Sequence, residues 1–172
     1  MKKIYMLILS FVLVFILLII SGCHYADNYK NGQQKFYSQS QYANAILKDL
    51  LSALVNNDKQ KIFDLFSEDV RNSDGFDAEI ERLINYFDGN VIFYDEIRTP
   101  ASGERYRDGE LVYARIGNAL TEKIVTDFDT YEMSFSAVII NKEKSTQEGI
   151  WRIWIGKSDE DYMVIGSDDY DL

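Results

Sequence analysis

The chain has 172 residues, with 18 basic against 28 acidic side chains and a formal net charge of −10. That balance excludes a nucleic-acid binder, which needs a basic footprint, and opposes a body lying flat on anionic lipid. With one cysteine and one histidine, the chain has no intramolecular disulfide and no Cys/His set for a transition metal.

Lys2 and Lys3 precede an apolar run from Ile4 to Ile20, broken only by Ser10. A basic start, an apolar stretch and a small-residue end form the layout of a secretory signal. The run is slightly long for a signal and just short for a membrane span. Both readings place the rest of the chain outside the cytoplasmic membrane, because the two lysines hold the N-terminus inside. Ile20-Ser21-Gly22-Cys23 resembles the bacterial lipobox. That resemblance implies a diacylglyceryl thioether on Cys23, with palmitate-type chains, and cleavage before it. Two acyl chains anchor a protein stably where one does not. The expected organisation is a lipoprotein signal over residues 1–22, a polar tether over 23–38 and one α+β domain over 39–172. Losing Lys2 and Lys3 makes the mature chain more acidic still.

From Gln39 the pattern becomes helical. Tyr42, Ala45, Ile46, Leu50, Ala53 and Leu54 recur at spacings that predict an amphipathic helix, with Lys48 and Asp49 opposite. Asn57 or Asp58 is positioned to cap a second helix carrying Ile62, Phe63, Leu65 and Phe66. Asp77 is positioned to cap a third, with Ile80, Leu83, Ile84 and Phe87 on one face and Gly89 as its stop.

After Gly89 the period changes. Val91–Ile97 predicts the first strand, closed by Thr99-Pro100. Arg107-Asp108-Gly109-Glu110 reads as a turn. Leu111–Ile116 predicts a strand that resumes over Ala119–Thr126, with a bulge or bend at Gly117-Asn118. Tyr131–Asn141 and Gly149–Lys157 predict two more strands, and Tyr162–Ile165 is a last apolar segment before an acidic tail. Helices followed by antiparallel strands predict an α+β fold, with the helices on one face of a curved sheet.

The lipobox, the step from Asn57-Asp58-Lys59 into "IFDLFS", the strand "VIFYDEI" and the closing "GIWRIWIG" resemble an uncharacterised Gram-positive lipoprotein family, domain of unknown function 5104. The resemblance implies a nuclear-transport-factor-2-like cone, in which helices close over a bent sheet. It implies no activity, since fold does not set function.

The candidate pocket residues are Asp95, Arg115, Tyr131, Trp151 and Trp154. Asp95 shares a strand face with Val91, Phe93 and Ile97, so it is the best buried base if the domain is an enzyme. Its plainer role is a strand-end acid paired with Arg98. Arg115, near Tyr131, Trp151 and Trp154, has the chemistry to grip an anion; its plainer role is a solvent-face residue paired with Glu132 or another acid across the strand. Trp151 and Trp154, three residues apart, take opposite strand faces.

His24 lies beside Cys23, outside the domain, which removes histidine catalysis. Val70–Glu81 places Asn72, Asp74, Gly75 and Glu81 in the frame of a calcium loop, but Val70 offers no oxygen at its first position. Asp159, Glu160, Asp161, Asp168, Asp169 and Asp171 lack ligand spacing and read as a solvated end. No phosphate loop or nucleophile elbow is present, and no metal or cofactor is expected.

The expected function is therefore a membrane-anchored, non-enzymatic binding domain for a small apolar or aromatic ligand, or for a cell-envelope partner. The alternatives are a pocket enzyme of isomerase or lyase type using Asp95, and an accessory domain that meets another protein through its sheet.

Overall fold

The computed structural model describes residues 39–98, 100–158 and 160–167. The expected signal, Cys23, His24 and the tether to Ser38 lie outside the described residues, as do Asp159, Asp168, Asp169 and Asp171. No helix among the described residues is long and apolar enough to cross a membrane.

Residues 39–55 form helix α1. Its buried stripe is Ala43, Leu47, Leu50, Leu51, Ala53 and Leu54, while Tyr42 and Ala45 are exposed. Leu50, Ala53 and Leu54 lie in the stripe as expected, and the departure is in the first half of the helix, where Ala43 and Leu47 face inward in place of Tyr42 and Ala45. Burying a leucine contributes about 1.5–3 kcal/mol, so Leu47 and Leu51 outweigh Ala45 in choosing the inward face. Asp58 caps α2 (Lys59–Leu65), its carboxylate accepting from the Lys61 N–H at 3.0 Å. A single turn, α3 (Glu68–Arg71), follows under a Ser67 cap; four residues are too short to show a period, and the sequence did not reveal it. Helix α4 spans Phe76–Tyr86 with Gly75 at its N-cap. Asp77 therefore sits in the first turn rather than at the cap, where its charge still favours the helix dipole. The residues of the calcium frame are used by α3 and the turn into α4, and Val70 is buried in the core.

Six strands follow: β1 (Val91–Tyr94), β2 (Ala101–Arg107), β3 (Glu110–Thr126), β4 (Thr130–Asn141), β5 (Gly149–Gly156) and β6 (Tyr162–Gly166). All pair antiparallel in the order β1-β3-β4-β5-β6, and β2 pairs with the first half of β3. Helices with a six-stranded antiparallel sheet make an α+β fold, the class expected.

The two expected segments of the second strand are one strand, β3, with the anticipated irregularity inside it. Asn118 has φ +48° and the register shifts between Ile116 and Ala119. The inward set changes there from Val112, Ala114 and Ile116 to Ala119 and Thr121. Strand β1 stops at Tyr94, short of the expected Ile97. A register shift at Ile92 breaks the alternation, and Asn44 of α1 then takes over the Ile97 backbone. The Asn44 amide donates to the Ile97 carbonyl at 2.8 Å and accepts from its N–H at 2.9 Å. Strand β2 carries Gly103 between Ser102 and Glu104 and shows no apolar alternation, so its pairing with β3 is a tertiary fact.

The core lies between the helices and the inward sheet face. Tyr131, Met133, Phe135 and Ala137 of β4, with Ile153 and Ile155 of β5, meet Leu47, Leu50, Ile62, Ile80 and Leu83 in one cluster. By strand alternation the opposite, outer face carries Tyr113, Arg115, Leu120, Ser134 and Trp154.

Candidate functional site

The five residues expected to line one pocket are distributed over four environments. Tyr131 is fully buried in the core. Its hydroxyl accepts from the Asp88 N–H at 2.9 Å and donates to the Tyr86 carbonyl, and its ring stacks on Phe87 at 4.9 Å. Tyr131 is a structural hub and lines no cleft with the other four.

Asp95 follows β1 rather than belonging to it. Its backbone joins Lys123 and Thr121 of β3, and its half-exposed side chain borders a depression of about 310 Å³ with Glu96, Arg98, Leu120 and Glu122. The expectation that it shares a face with Phe93 and Ile97 fails, because the shift at Ile92 leaves Phe93 exposed while Ile97 is buried.

Trp151 packs against the core. Trp154 stacks on Tyr162, with ring centroids 5.9 Å apart. Both border a depression of about 350 Å³ with Asn118, Ser134, Ser136 and Arg152.

Arg115 lies on the outer face at the other end of β3. Its neighbours in register are Gly103 on β2 and Val138 on β4, so the expected pair with Glu132, near the start of β4, does not form. Its side chain lies over Gly103, where a Cβ would come within 3.0 Å of the Arg115 Nε. Beside it stands Tyr113, covered by the Arg105 guanidinium 5.5 Å from the ring centroid. Arg105, Tyr113, Arg115, Asn141, Lys144 and Gln147 line a depression of about 530 Å³, together with Gly103 and the acids Glu104 and Glu143.

The charges of this depression are not equally committed. Arg105 and Arg107 both grip Glu143, at 2.8 and 2.5 Å, and Lys144 reaches Asp69 of α3 at 2.7 Å. Arg115 makes no ion pair among the described residues, although it is half-buried. The Tyr113 hydroxyl is buried and has no well-aligned hydrogen bond. Burial pushes its pKa up, against the lowering pull of the Arg115 and Arg105 charges. The Arg115 guanidinium is therefore close to that oxygen without being aligned to donate to it. Such a pair is suited to a ligand oxygen: a guanidinium presents a fork of N–H donors, and a protonated phenol adds one more.

Arg115 was legible as a sheet arginine, but Tyr113, Arg105, Lys144 and Gln147 were not singled out. The Asp108-Gly109 turn signalled only that β2 and β3 pair; a register shift between Arg105 and Tyr106 then brings Arg105 opposite Tyr113 and Gly103 opposite Arg115, and no local pattern marks that shift. No set of His, Cys, Asp and Glu that could hold a metal ion occurs among the described residues.

No curated protein matches the chain. A family profile does, over residues 49–160, from the middle of α1 to the β5–β6 turn, which is well over half of its length. The chain belongs to the DUF5104 family, a domain of unknown function.

Proposed function

We propose that the domain is a non-enzymatic binding module, held outside the cytoplasmic membrane by lipid on Cys23, that captures a small organic anion at Arg115. The observation that carries this is a half-buried guanidinium with no ion pair among the described residues, facing a depression of about 530 Å³ on a chain of net charge −10. In so acidic a protein, most cations are neutralised by neighbours; one left unpaired and partly desolvated gains most from an incoming carboxylate or phosphate. Tyr113 and the stems of Arg105 and Arg115 supply an apolar wall for the ligand's body. Binding is favoured over isomerase or lyase chemistry because Asp95 lies in a different depression from Arg115 and from both tryptophans. The bend in β3 and the helices over one face support a cone-like, nuclear-transport-factor-2-like arrangement.

Calorimetric titration of the full chain with benzoate and phenyl phosphate tests the site. Saturable binding is expected, weakened about 10- to 100-fold by Arg115→Ala, since a hydrogen bond to a charged group contributes about 1.5–3 kcal/mol. Arg115→Lys keeps the charge but loses the fork, and falls between. Equal affinity in Arg115→Ala, or no saturable binding of either probe, would remove the anion reading. The anchor is tested separately by mass spectrometry of the protein from its native host. A product beginning at a diacylated Cys23 is expected; one intact from Met1 with a free thiol refutes the anchor and leaves the binding site standing.

A further inference from the structure

We infer that the outer face carries a second, independent site, beyond the bend in β3, that takes an uncharged sugar ring. Strand register builds it. Leu120, Ser134, Trp154 and Val164 are successive cross-strand neighbours on β3, β4, β5 and β6. One row away, Asn118 donates its N–H to the Ser136 hydroxyl at 3.2 Å, and Ser136 faces Arg152.

Strand β4 thus contributes only two hydroxymethyl groups where its neighbours contribute long side chains. The result is a trough floored by Ser134 and Ser136, with Asn118 on one side and Arg152 and Trp154 on the other. With strands about 4.8 Å apart, the walls stand about 10 Å apart at the backbone. The depression there is about 350 Å³, within the range of small-ligand pockets, about 300–1,000 Å³.

Its chemistry is that of a ring with an apolar face and a hydroxylated rim. The Trp154 indole is held in place: it stacks on Tyr162 and lies over Gly156, where a Cβ would come within 2.9 Å of it. A fixed aromatic wall offers apolar contact at little cost in side-chain entropy. Ser134, Ser136 and Asn118 offer hydroxyl and amide groups along the floor and the facing wall, and the Ser134 hydroxyl is not engaged by any described residue. Exposed Glu132 stands one row beyond Trp154, so the Trp154 end of the trough does not favour an anion. A neutral polyhydroxylated ring meets every one of these features.

NMR titration of the full chain with cellobiose and with N,N′-diacetylchitobiose tests the inference. Saturable shifts are expected at the Trp154 indole N–H and the Ser134 and Ser136 amides. Ser134→Leu, which fills the floor from the solvent side, should raise Kd at least tenfold without changing Tm, and Arg115→Ala should leave Kd unchanged. If Ser134→Leu disturbs folding, Asn118→Ala gives the second measurement, with weakened binding expected. No saturable shift with either disaccharide overturns the inference, as do shifts confined to Tyr113 and Arg115, or unchanged affinity in a folded variant. Loss of anion binding at Arg115 with sugar binding intact would refute the first site and leave the second.

Discussion

Tyr131→Ala is expected to destabilise the domain by about 4 kcal/mol, in the range for removing a large aromatic from a packed core, and to lower Tm by roughly 10–20 °C. Tyr131 is fully buried, and its ring joins three parts of the chain: Phe87 after α4, Tyr86 within it, and Lys157 after β5. The Lys157 ammonium lies 5.3 and 5.4 Å from the Tyr86 and Tyr131 ring centroids and is held there by Asp129 at 2.6 Å. Removing the ring leaves a cavity and unpairs the Asp88 N–H together.

The milder Tyr131→Phe separates the two effects. It keeps the stack and loses only the hydroxyl, for an expected cost of about 1–2 kcal/mol. The same residue sets a pH dependence. Burial raises the Tyr131 pKa, and the hydrogen bond to Asp129 raises that of Lys157. A folded-state pKa above the unfolded one gives stability that is complete at lower pH and is lost as pH climbs through the folded value. Stability should therefore be flat through neutral pH and fall above about pH 10, where unfolded tyrosine and lysine titrate. Tyr131→Phe should reduce that slope. Urea unfolding at several pH values measures all three outcomes, and a Tyr131→Ala protein within about 1 kcal/mol of the parent would contradict the buried hub.

Gly149→Ala is expected to cost about 3 kcal/mol or more although it adds one methyl group. Gly149 has φ +122°, a conformation that side chains resist, and its Cβ would come within 2.7–3.0 Å of the Phe66 and Ser67 backbone. Those atoms cannot move aside cheaply. The Ser67 N–H donates to the Ile150 carbonyl at 2.9 Å, and Phe66 and Ile150 form a parallel bridge. This is where the link between α2 and α3 meets the start of β5. Phe66 in turn packs edge-on against Phe76, 4.8 Å away, so displacement propagates into α4. Circular dichroism melting compares Gly149→Ala with Gly109→Ala. Gly109 also has positive φ but has open space where its Cβ would be, so that variant should lose less. Equal losses would mean that the backbone contact contributes nothing.

Much of the fold was legible because it is local. The second helix with a cap at Asn57 or Asp58, the Asp108-Gly109 turn, the irregularity at Gly117-Asn118 and the strands β4 and β5 follow from capping chemistry and from period, whereas β6 showed only as an apolar segment. The failures have one origin. Strand β2 has no apolar alternation of its own and exists because β3 offers it an edge. The Asp95–Ile97 segment has a strand's composition, but Asn44 of a distant helix binds its backbone. Gly75 replaces Asp77 at the cap of α4 because Phe76 must enter the core. In the candidate site, Arg115 could be picked out as an unusual sheet residue, yet its lack of an acidic partner depends on Glu143 being held by Arg105 and Arg107.

Composition and local pattern alone determined the α+β class, the order of most elements and, with one cysteine in the chain, the absence of an intramolecular disulfide. These follow from counts and from periods a few residues long. Only the tertiary structure decided which residues share a surface. It buried Tyr131, separated Asp95 from Arg115, and set Ser134 between Leu120 and Trp154. The reason is geometric: a bulge in a strand reverses which side chains face the core, and strand pairing joins residues far apart in the chain. Neither can be counted along a single segment.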